Sequence, residues 1–477
     1  MGGVGDEPMI SPNQPIPKVC VQGLGFVGAA MATAVAKARS LNEEPLFDVI
    51  GIDLPSPSGQ ARIDAINSGR FPFRTSDQDL QKATREAFEQ GNLGATSDPS
   101  ECTNASIVIV DVDLSIRFTD ENPSLQLGNF QNAIQTIGNF VSQDTLVLIE
   151  STVPPGTCEK IVLPILQEKF LRRGFNPAEV LLAHSYERVM PGPDYLRSLT
   201  HMWRVFAATS ERASARCREF LSSVVHTDEF PLTELSTTTA SETAKVLENT
   251  YRAINIAFID EWSGFAEKAG LDLFEVIGAI QQRPTHRNIR YPGLGIGGYC
   301  LTKDPAFAPA AARELFGVDH QFPFVSQYLA TAQSMPLHAV NRFLELLDDQ
   351  IQQPKVLLCG LAYRPGVSDT RYSPSETVYD YLIQKGADVS VHDPLVEYWE
   401  EKNLSVPAKL PDPRNFDGIF FAVPHEEYKT LDLENFLRGS AATPLIFDAF
   451  MVWDSDTRKN FRRRGVRIEA VGVATGK

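Results

Sequence analysis

A cysteine inside a glycine-rich segment carries the clearest chemical signal in this sequence. Cys300 ends the run PGLGIGGYC (292–300), whose four glycines among six residues allow a tight turn and the close approach of a ligand. Lys303 and Asp304 lie three and four residues beyond the cysteine. If a helix begins near Leu301, the lysine and the helix N-terminus both favour the thiolate, which is the nucleophilic form. A glycine loop beside a buried structural cysteine is the alternative interpretation.

Two further pairs of polar residues are placed where they could act on a ligand. Lys245 and Asn249 are four residues apart in a helical pattern and therefore share one face of the helix. Ser151 and Thr152 follow the apolar run 146–150, at the carboxyl end of a predicted strand, where open α/β sheets bind ligands. The alternatives are an exposed lysine and asparagine for the first pair and a helix cap for the second.

The N-terminal part of the chain predicts a dinucleotide-binding unit that positions such residues. An apolar run at 19–22 leads into the sequence GLGFVG (23–28), an alanine-rich helical stretch follows, and a second apolar run ends in Asp53. In this strand–GxGxxG–helix–strand–acid arrangement, the glycines admit a pyrophosphate to the helix N-terminus and the acid binds a ribose hydroxyl. The predicted cofactor-binding residues are Gly23, Gly25, Phe26, Val27, Gly28 and Asp53. No arginine comes directly after Asp53, which favours NAD over NADP.

The order of the elements predicts an α/β fold with two Rossmann-like, doubly wound domains joined by a long central helix. An apolar repeat of three or four residues from about Ser236 to Gly270 predicts that helix. A second strand–helix alternation begins at Lys355, without GxGxxG after its first strand, so we expect a different nucleotide there. The predicted divisions are a flexible lead-in (1–17), an NAD-binding domain (18–220), a central helical and dimerisation domain (221–345) and a second nucleotide-binding domain (346–477). We expect the catalytic cleft at their junction.

Composition excludes several classes of function. The chain has 477 residues and a formal net charge of −16, which argues against nucleic acid as a partner. No apolar run reaches the length needed to cross a membrane. The six cysteines are scattered, with no CxxC pair and no clustering with the eight histidines. We therefore expect no metal site and a reducing, cytoplasmic location.

Five sequence blocks together resemble the UDP-glucose/GDP-mannose dehydrogenase family, the nucleotide-sugar 6-dehydrogenases. The similarity runs from Lys18 to about Asp454. The blocks, in order, are GLGFVG (23–28), STVPPGT (151–157) with Glu159 behind it, AKVLENTYRAIN (244–255), PGLGIGGYCLTKDP (292–305) and GLAYRPGVSDTRYSPS (360–375). Their order and spacing make the resemblance highly specific.

The resemblance implies a two-step, four-electron oxidation of a sugar C6 alcohol to a carboxylate, with two NAD⁺ and one water. Cys300 would attack the intermediate aldehyde to give a thiohemiacetal, which is then oxidised to a thioester. Asp304, Glu159 and Thr152 would help to activate the water, while Lys245 and Asn249 would stabilise negative charge on the substrate oxygen. Family members dimerise through the long helix, so we expect a homodimer or a dimer-based oligomer.

The resemblance also assigns the remaining binding residues and a substrate class. The segment 184–192, HSYERVMPG, looks like the PERVxPG variant of members that act on UDP-N-acetylhexosamines, and Tyr363-Arg364-Pro365 is similar to the YKP of that branch. Both point to UDP-GlcNAc, UDP-ManNAc or a relative as the UDP-sugar substrate. Ser151, Thr152 and Lys303 are expected to contact the cofactor. The residues expected to bind substrate are Glu187, Arg188, Val189, Lys245, Asn249, Tyr291, Gly297, Tyr363, Arg364 and Arg371.

Four positions depart from the family pattern, in three places. Asp111 and Asp113 stand where many members have a VPTP loop, Phe450 replaces a substrate-contacting arginine, and Tyr299 precedes the cysteine where hexosamine-type members often have histidine. Three alternatives therefore stay open. One is a UDP-glucose or GDP-mannose dehydrogenase, another is a two-electron dehydrogenase of the hydroxyacid type, and the third is a catalytically silent nucleotide-binding protein.

Overall fold

The computed structural model describes residues 16–118, 123–348, 351–439 and 443–476. The predicted lead-in lies outside the described residues as far as residue 15. The described chain is an α/β structure with two mainly parallel sheets and a helical region between them, as the sequence predicts.

The first sheet has eight strands in the order β10-β9-β8-β7-β4-β1-β2-β3. All neighbouring pairs are parallel except β8 and β9. Apolar side chains on both faces pack under helices, which explains the almost continuous apolar runs of the central strands. The strands of this sheet, and the helices and the small strand pair that accompany them in the chain, are β1 (Lys18–Gln22), α1 (Phe26–Lys37), β2 (Asp48–Ile52), α2 (Pro57–Ile66), α3 (Gln78–Glu89), β3 (Leu93–Thr96), β4 (Ile107–Val110), β5 (Ser115–Arg117), β6 (Ser124–Gln126), α4 (Gly128–Gly138), β7 (Leu146–Ile149), α5 (Leu163–Arg172), β8 (Leu181–Tyr186), α6 (Tyr195–Thr200), β9 (Val205–Ala208), α7 (Glu211–Val224) and β10 (Thr233–Glu234).

The elements of this first sheet continue past residue 220. Helix α7 ends at Val224, and strand β10 pairs with β9 through Thr233 and Glu234. The small antiparallel pair β5–β6 lies outside the main sheet. The sheet is therefore complete only just before the long helix begins.

The long central helix, α8, spans Thr238–Ala269. The side chain of Thr237 accepts a hydrogen bond from Ala240 N at its start, and Gly270, with φ of 78°, ends it in the left-handed conformation that glycine adopts without strain. Helix α8 packs against α12 and α10. The other helices of this region are α9 (Leu273–Ile280), α10 (Tyr299–Lys303), α11 (Phe307–Glu314) and α12 (Pro323–Leu346).

The two faces of α8 differ in exposure. The face that packs inward carries Lys245 and Asn249 with several small residues. The apolar repeat predicted from the sequence instead supplies large side chains that are about half exposed: Leu247, Tyr251, Phe258, Trp262 and Phe265. An apolar stripe of this size on a single chain is typical of a protein–protein interface.

The second sheet has five parallel strands in the order β12-β11-β15-β16-β17. It too is covered on both faces by apolar clusters. Its domain contains β11 (Lys355–Cys359), α13 (Pro374–Gln384), β12 (Asp388–His392), β13 (Tyr398–Trp399), β14 (Leu404–Ser405), β15 (Gly418–Phe421), α14 (Glu426–Lys429), α15 (Leu433–Phe436), β16 (Leu445–Asp448), α16 (Ser455–Arg463) and β17 (Ile468–Ala470).

Candidate active site

The cysteine segment lies between the two sheets, and its glycines are needed for close packing. Gly298, with φ of 82°, precedes the short helix α10, in which Cys300 is the second residue. A Cβ atom on Gly297 would lie 2.7 Å from Pro374 Cδ, and one on Gly298 would lie 2.7 Å from the ring of Tyr363. Side chains at these positions would push the second nucleotide domain away from the cysteine. The five other cysteines are buried, whereas Cys300 is exposed.

Asp304 connects the cysteine segment to the central helix. Its carboxylate is fully buried, and Oδ2 accepts a 2.7 Å hydrogen bond from Asn249 Nδ2. Oδ1 accepts a 2.9 Å hydrogen bond from Lys303 Nζ. Both oxygens therefore have one donor each and retain a lone pair for a water or a substrate hydroxyl.

Lys245 lies one helical turn before Asn249 on the same buried face. Its Nζ donates to the backbone oxygen of Glu187 at 2.7 Å and lies 3.4 Å from the Glu187 carboxylate. The ammonium also stands 5.4 Å from the centre of the Tyr186 ring. The structure therefore places Lys245 with Glu187 and Asn249 with Asp304, in two hydrogen-bonded pairs that both lie close to the Cys300 thiol.

The thiol of Cys300 does not have the lowered pKa that the sequence predicts. Burial by surrounding protein, followed by the nearby Asp304 carboxylate, raises its pKa to about 12, although Lys245 and Lys303 act in the opposite direction. The residue as a whole is exposed, but its thiol is surrounded by protein on most sides, and this governs its ionisation. The prediction of a lowered thiol pKa is therefore wrong, because it considered the lysine without the carboxylate and the desolvation.

The dinucleotide loop has the geometry that NAD requires. Gly23 has φ of 98°, and a Cβ on Gly28 would lie 1.9 Å from the backbone oxygen of Gly23, so both glycines are needed for the turn. Around a Cβ on Gly25, by contrast, there is no atom within 4 Å, which leaves space for a phosphate at the start of α1. The cap residue is Gly25, which has no side chain that could bond the first amides of α1. The amides of Phe26 and Val27 are therefore open to an anion.

Asp53 at the end of β2 has a partner that the sequence did not reveal. Its Oδ2 accepts hydrogen bonds from Leu24 N at 3.2 Å and from Arg62 Nε at 2.8 Å. The acid is therefore fixed beside the dinucleotide loop. Arg62 belongs to α2, nine residues after Asp53, and no motif marks that spacing.

The strand-end hydroxyls lie beside this loop. Ser151 Oγ donates to the backbone oxygens of Val110 at 3.1 Å and Val112 at 2.7 Å. These bonds hold the segment that follows β7 against the segment that follows β4. Thr152 follows and is half-buried. Lys303, expected at the cofactor, is buried between the rings of Tyr299 and Phe307 and paired with Asp304.

Residues of the second nucleotide domain reach both the cysteine and the dinucleotide loop. The Arg371 guanidinium lies 5.1 Å from the centre of the Phe26 ring and 5.9 Å from that of Tyr299. The Arg364 guanidinium lies 3.8 Å from the position of a Cβ on Gly192. These arginines therefore stand at the cleft between the domains.

Three predicted residues have contacts away from these two pairs, and a fourth contacts Glu187 through its backbone. Glu159 is exposed and accepts a 3.3 Å hydrogen bond from Thr238, seven residues before Lys245 in α8, so the structure does not bring it to Asp304. The hydroxyl of Tyr291 donates to Gln281 at 2.8 Å, and its ring stacks on Phe274.

The other two follow Glu187 directly. Arg188 is paired with Glu248 at 2.9 Å and bonds the backbone oxygen of Trp203. The backbone amide of Val189 donates to the carboxylate of Glu187.

Sequence reasoning also missed a buried carboxylate behind the STVPPGT turn. Glu242 accepts hydrogen bonds from the amides of Gly156 at 2.5 Å and Cys158 at 2.7 Å, and so holds the turn against α8. Burial raises the pKa of Glu242 to about 8. It lies one turn before Lys245, but a lone glutamate in a helix gives no sequence signal for this contact.

The three departures from the family pattern have structural explanations. Burial, followed by the neighbouring Glu150, raises the pKa of Asp111 well above its usual range, which favours its uncharged form. Asp113 accepts a hydrogen bond from the Tyr299 hydroxyl. The Phe450 ring lies 3.1 Å from the position of a Cβ on Gly293 and so packs against the cysteine segment, with no positive charge there.

Three domain profiles of one family match this chain. They are the NAD binding domain at residues 17–224, the central domain at 239–331 and the UDP binding domain at 357–455, all of the UDP-glucose/GDP-mannose dehydrogenase family. The chain belongs to the UDP-glucose/GDP-mannose dehydrogenase family. It is an NAD-dependent nucleotide-sugar dehydrogenase, and the glycine loop described above fits the cofactor that the matched domain binds.

Several family members are similar to this chain over almost their whole length. UDP-N-acetyl-D-mannosamine dehydrogenase of Methanocaldococcus jannaschii is 28% identical over 461 residues, which cover 95% of this chain and 96% of the relative. UDP-N-acetyl-D-glucosamine 6-dehydrogenase of Pseudomonas aeruginosa is 27% identical, and the match covers 92% of this chain and 98% of the relative. The crystal structure of NDP-N-acetyl-D-galactosaminuronic acid dehydrogenase from Methanosarcina mazei Go1 superposes with a TM-score of 0.77 at 26% identity, covering 96% of each chain.

Two absences are found in the described residues. No helix there is long and apolar enough to cross a bilayer. Within the same ranges, no three His, Cys, Asp or Glu side chains are grouped so that they could hold a metal ion.

Proposed function

We propose that this protein oxidises the C6 hydroxyl of a UDP-N-acetylhexosamine to the carboxylate in two NAD⁺-dependent steps, through a thiohemiacetal and a thioester on Cys300. The observation that carries the proposal is the placement of Lys245 and of the hydrogen-bonded pair Asn249–Asp304 close to an exposed cysteine. The relatives that act on UDP-N-acetyl-D-mannosamine and UDP-N-acetyl-D-glucosamine support this class of sugar. UDP-glucose and GDP-mannose are the alternative substrates.

The first task of the protein is to hold the sugar C6 hydroxyl and to stabilise negative charge on its oxygen while the hydroxyl proton is released to water. Lys245 presents an ammonium that is fixed by Glu187 but retains further donor capacity. An ammonium at this position stabilises an alkoxide-like oxygen as its carbon loses a hydride. Bound NAD⁺ supplies the hydride acceptor for both oxidations, held by the loop 23–28 and Asp53.

Cys300 then captures the aldehyde. Its sulfur adds to the carbonyl carbon, the thiol proton passes to the carbonyl oxygen, and the resulting thiohemiacetal keeps the aldehyde hydrogen on C6, which leaves as hydride in the second oxidation. The pKa of this thiol is raised to about 12, so the thiol is a weak nucleophile by itself. The cation of Lys245 and the amide of Asn249 are therefore needed to stabilise the negative charge that develops on the carbonyl oxygen.

Hydrolysis of the thioester needs one water. We assign its positioning to Asp304, whose two oxygens each keep a free lone pair, and to Thr152. The water oxygen bonds to the acyl carbon, the carbon–sulfur bond breaks, and the water proton returns to the sulfur. Glu159 is a weaker candidate for this role than the sequence predicts, because its one contact lies toward the start of α8.

We assign the binding roles by domain. Residues 18–220 would bind NAD, 221–345 would supply the cysteine, and 346–477 would bind the UDP part of the substrate. Arg364 and Tyr363 border the cleft from the last domain. Turnover of UDP-GlcNAc, UDP-ManNAc, UDP-GalNAc, UDP-glucose and GDP-mannose by the purified protein tests the substrate class. Preference for one acetylated sugar supports it, and preference for UDP-glucose or GDP-mannose contradicts it.

We also propose that two copies of the chain associate through α8. The exposed stripe contains Leu247, Tyr251, Phe258, Trp262 and Phe265, each with more than a third of its surface accessible. The rings of Trp262 and its two aromatic neighbours contact one another edge to face, which gives a continuous apolar surface. Covering such a surface with a second copy removes it from water.

A further inference from the structure

A hydrogen bond joins the residue before the candidate nucleophile to the dinucleotide-binding domain. The hydroxyl of Tyr299 donates to the carboxylate of Asp113 and lies 3.2 Å from the backbone oxygen of Leu114. The two partners are 186 residues apart in the chain. Because Cys300 is the next residue after Tyr299, this bond directly limits where the thiol can stand.

The loop that holds Tyr299 also touches the dinucleotide loop. Residues 111–114 follow β4, next to β1 in the sheet. The backbone oxygen of Asp111 lies only 2.4 Å from the position of a Cβ on Gly23. A dinucleotide seated on the glycine loop therefore borders the same loop that carries Asp113.

The start of the helix that carries the thiol is also held from the second nucleotide domain. Helix α10 spans only five residues, and the amide of its cap residue Gly298 donates to the backbone oxygen of Tyr372 at 3.3 Å. Thr302 Oγ1 donates to the backbone oxygen of Gly298 at 2.8 Å. The Tyr299 hydroxyl adds a restraint toward the dinucleotide-binding domain, so the position of the thiol depends on both domains.

Tyr299 is also in contact with the charged groups on either side. Lys303 Nζ lies 4.6 Å from the centre of the Tyr299 ring, and the Arg371 guanidinium lies 5.9 Å from it. Arg371 is itself held by two hydrogen bonds to Asp369, at 2.9 and 2.8 Å, and stands over Phe26 of the dinucleotide loop. A movement of the tyrosine therefore changes the surroundings of Lys303, and through it Asp304.

We propose that Tyr299 is a positioning residue whose bond to Asp113 transmits occupancy of the dinucleotide site to the thiol of Cys300. The inference rests on the proposed function for its catalytic meaning, but the coupling itself needs no sugar. It also gives a role to two of the positions at which this chain departs from the family pattern, Asp113 and Tyr299.

The test compares Tyr299→Phe, Asp113→Ala and the double variant with the unmodified protein. The rate of Cys300 alkylation by iodoacetamide is measured by peptide mass spectrometry, with and without saturating NAD⁺, and the dissociation constant for NAD⁺ is measured separately. We expect NAD⁺ to change the alkylation rate by about fivefold or more in the unmodified protein and by less than about twofold in the variants. The double variant should behave like either single variant, because the same bond is lost.

Tyr381→Phe is the matched control. It removes a hydroxyl that donates to Asn341 at 2.7 Å between α13 and α12, far from the cysteine segment in the chain, and should keep the full NAD⁺ response. If Tyr299→Phe does not fold, the Asp113→Ala variant, altered on an exposed loop, carries the test. An unchanged NAD⁺ response in Asp113→Ala, or additive effects in the double variant, would overturn the proposal.

The kinetic measurement separates a positioning role from simple cofactor binding. We expect the variants to lose about tenfold in kcat, as for one hydrogen bond to a charged acceptor, while the dissociation constant for NAD⁺ changes by less than about twofold. A weaker affinity for NAD⁺ with unchanged kcat would mean a binding role only. If the unmodified protein oxidises none of the sugar nucleotides, the proposed function fails, but the alkylation experiment still decides the coupling.

Discussion

The side-chain amide of Asn249 donates a 2.7 Å hydrogen bond to Asp304, and this bond joins the central helix to the segment that carries Cys300. Both residues are buried. Lys245, one turn earlier on the same helix, is tied by Glu187 to the first nucleotide domain. The relative placement of cation, amide, carboxylate and thiol thus depends on α8.

Replacing Asn249 by alanine should weaken both stability and catalysis. The Asp304 carboxylate would stay buried with one donor fewer, so we expect a loss of about 1–3 kcal/mol in the free energy of unfolding. Activity should fall at least about tenfold, because the oxyanion loses a donor. Urea unfolding and steady-state kinetics measure the two effects. Asn255→Ala is the control, since this half-buried asparagine on the same helix donates to a backbone oxygen of its own turn; equal effects in both variants would refute a special role for Asn249.

The Asp304 carboxylate should suppress the reactivity of Cys300 in the free protein. Because the pKa of this thiol is raised to about 12, the thiolate fraction and the alkylation rate should increase about tenfold per pH unit between pH 7 and 10. Asp304→Asn removes a negative charge that raises the pKa, so its Cys300 should react faster at pH 8 although the variant turns over more slowly. Peptide mass spectrometry after timed alkylation gives both rates. A rate that levels off below pH 9 in the unmodified protein would contradict the raised pKa.

His338 should make the protein less stable at high pH. Its ring lies 3.2 Å from Asp260 and 2.9 Å from Glu267, both on α8, and these hydrogen bonds raise its pKa to about 9. A histidine whose folded pKa lies above its unfolded value of about 6.5 contributes stability that is complete below pH 6.5 and is lost as the pH rises through 9. We expect His338→Gln to cost about 2 kcal/mol at pH 6 and little above pH 10, after allowance for partial exposure.

Urea unfolding at pH 6, 8 and 10 measures this dependence. The exposed His286→Gln variant is the control and should follow the unmodified protein at every pH. If the cost of His338→Gln were the same at pH 6 and pH 10, protonation of this ring would not be the cause.

A charge in the exposed stripe of α8 should separate the subunits. We expect the unmodified protein to sediment as a dimer or a multiple of it, and Trp262→Glu to sediment as a monomer, because burying an unpaired carboxylate in an apolar interface is costly. Leu41→Glu, at a fully exposed apolar residue in the first domain, should leave the sedimentation unchanged. Analytical ultracentrifugation at micromolar concentration measures this. A monomeric unmodified protein would contradict the proposed interface.

Local patterns predicted the fold and part of the site. The glycine spacing of the loop 23–28 and the left-handed stop at Gly270 act within a few residues, so the sequence displays them directly. The apolar runs of both sheets likewise reveal parallel strands. Lys245 and Asn249 were placed together correctly because they share a helix face.

Contacts between distant segments could not be predicted from spacing. The pairs Lys245–Glu187 and Tyr299–Asp113 are 58 and 186 residues apart, and only the folded chain brings them together. The raised pKa of Cys300 also depends on burial, which no motif encodes. The same reason explains why Glu159, close to the STVPPGT block in sequence, lies apart from Asp304 in space.

The most direct test of the proposed chemistry is the amount of NADH formed per sugar nucleotide consumed, for the unmodified protein and for Cys300→Ser. With its preferred UDP-N-acetylhexosamine, the unmodified protein should form two NADH per sugar and release the uronic acid, and the variant should lose this turnover, because without the thiol the aldehyde cannot be captured for the second oxidation. One NADH per sugar, unaffected by the substitution, would mean a simple alcohol dehydrogenase and would contradict the thioester mechanism.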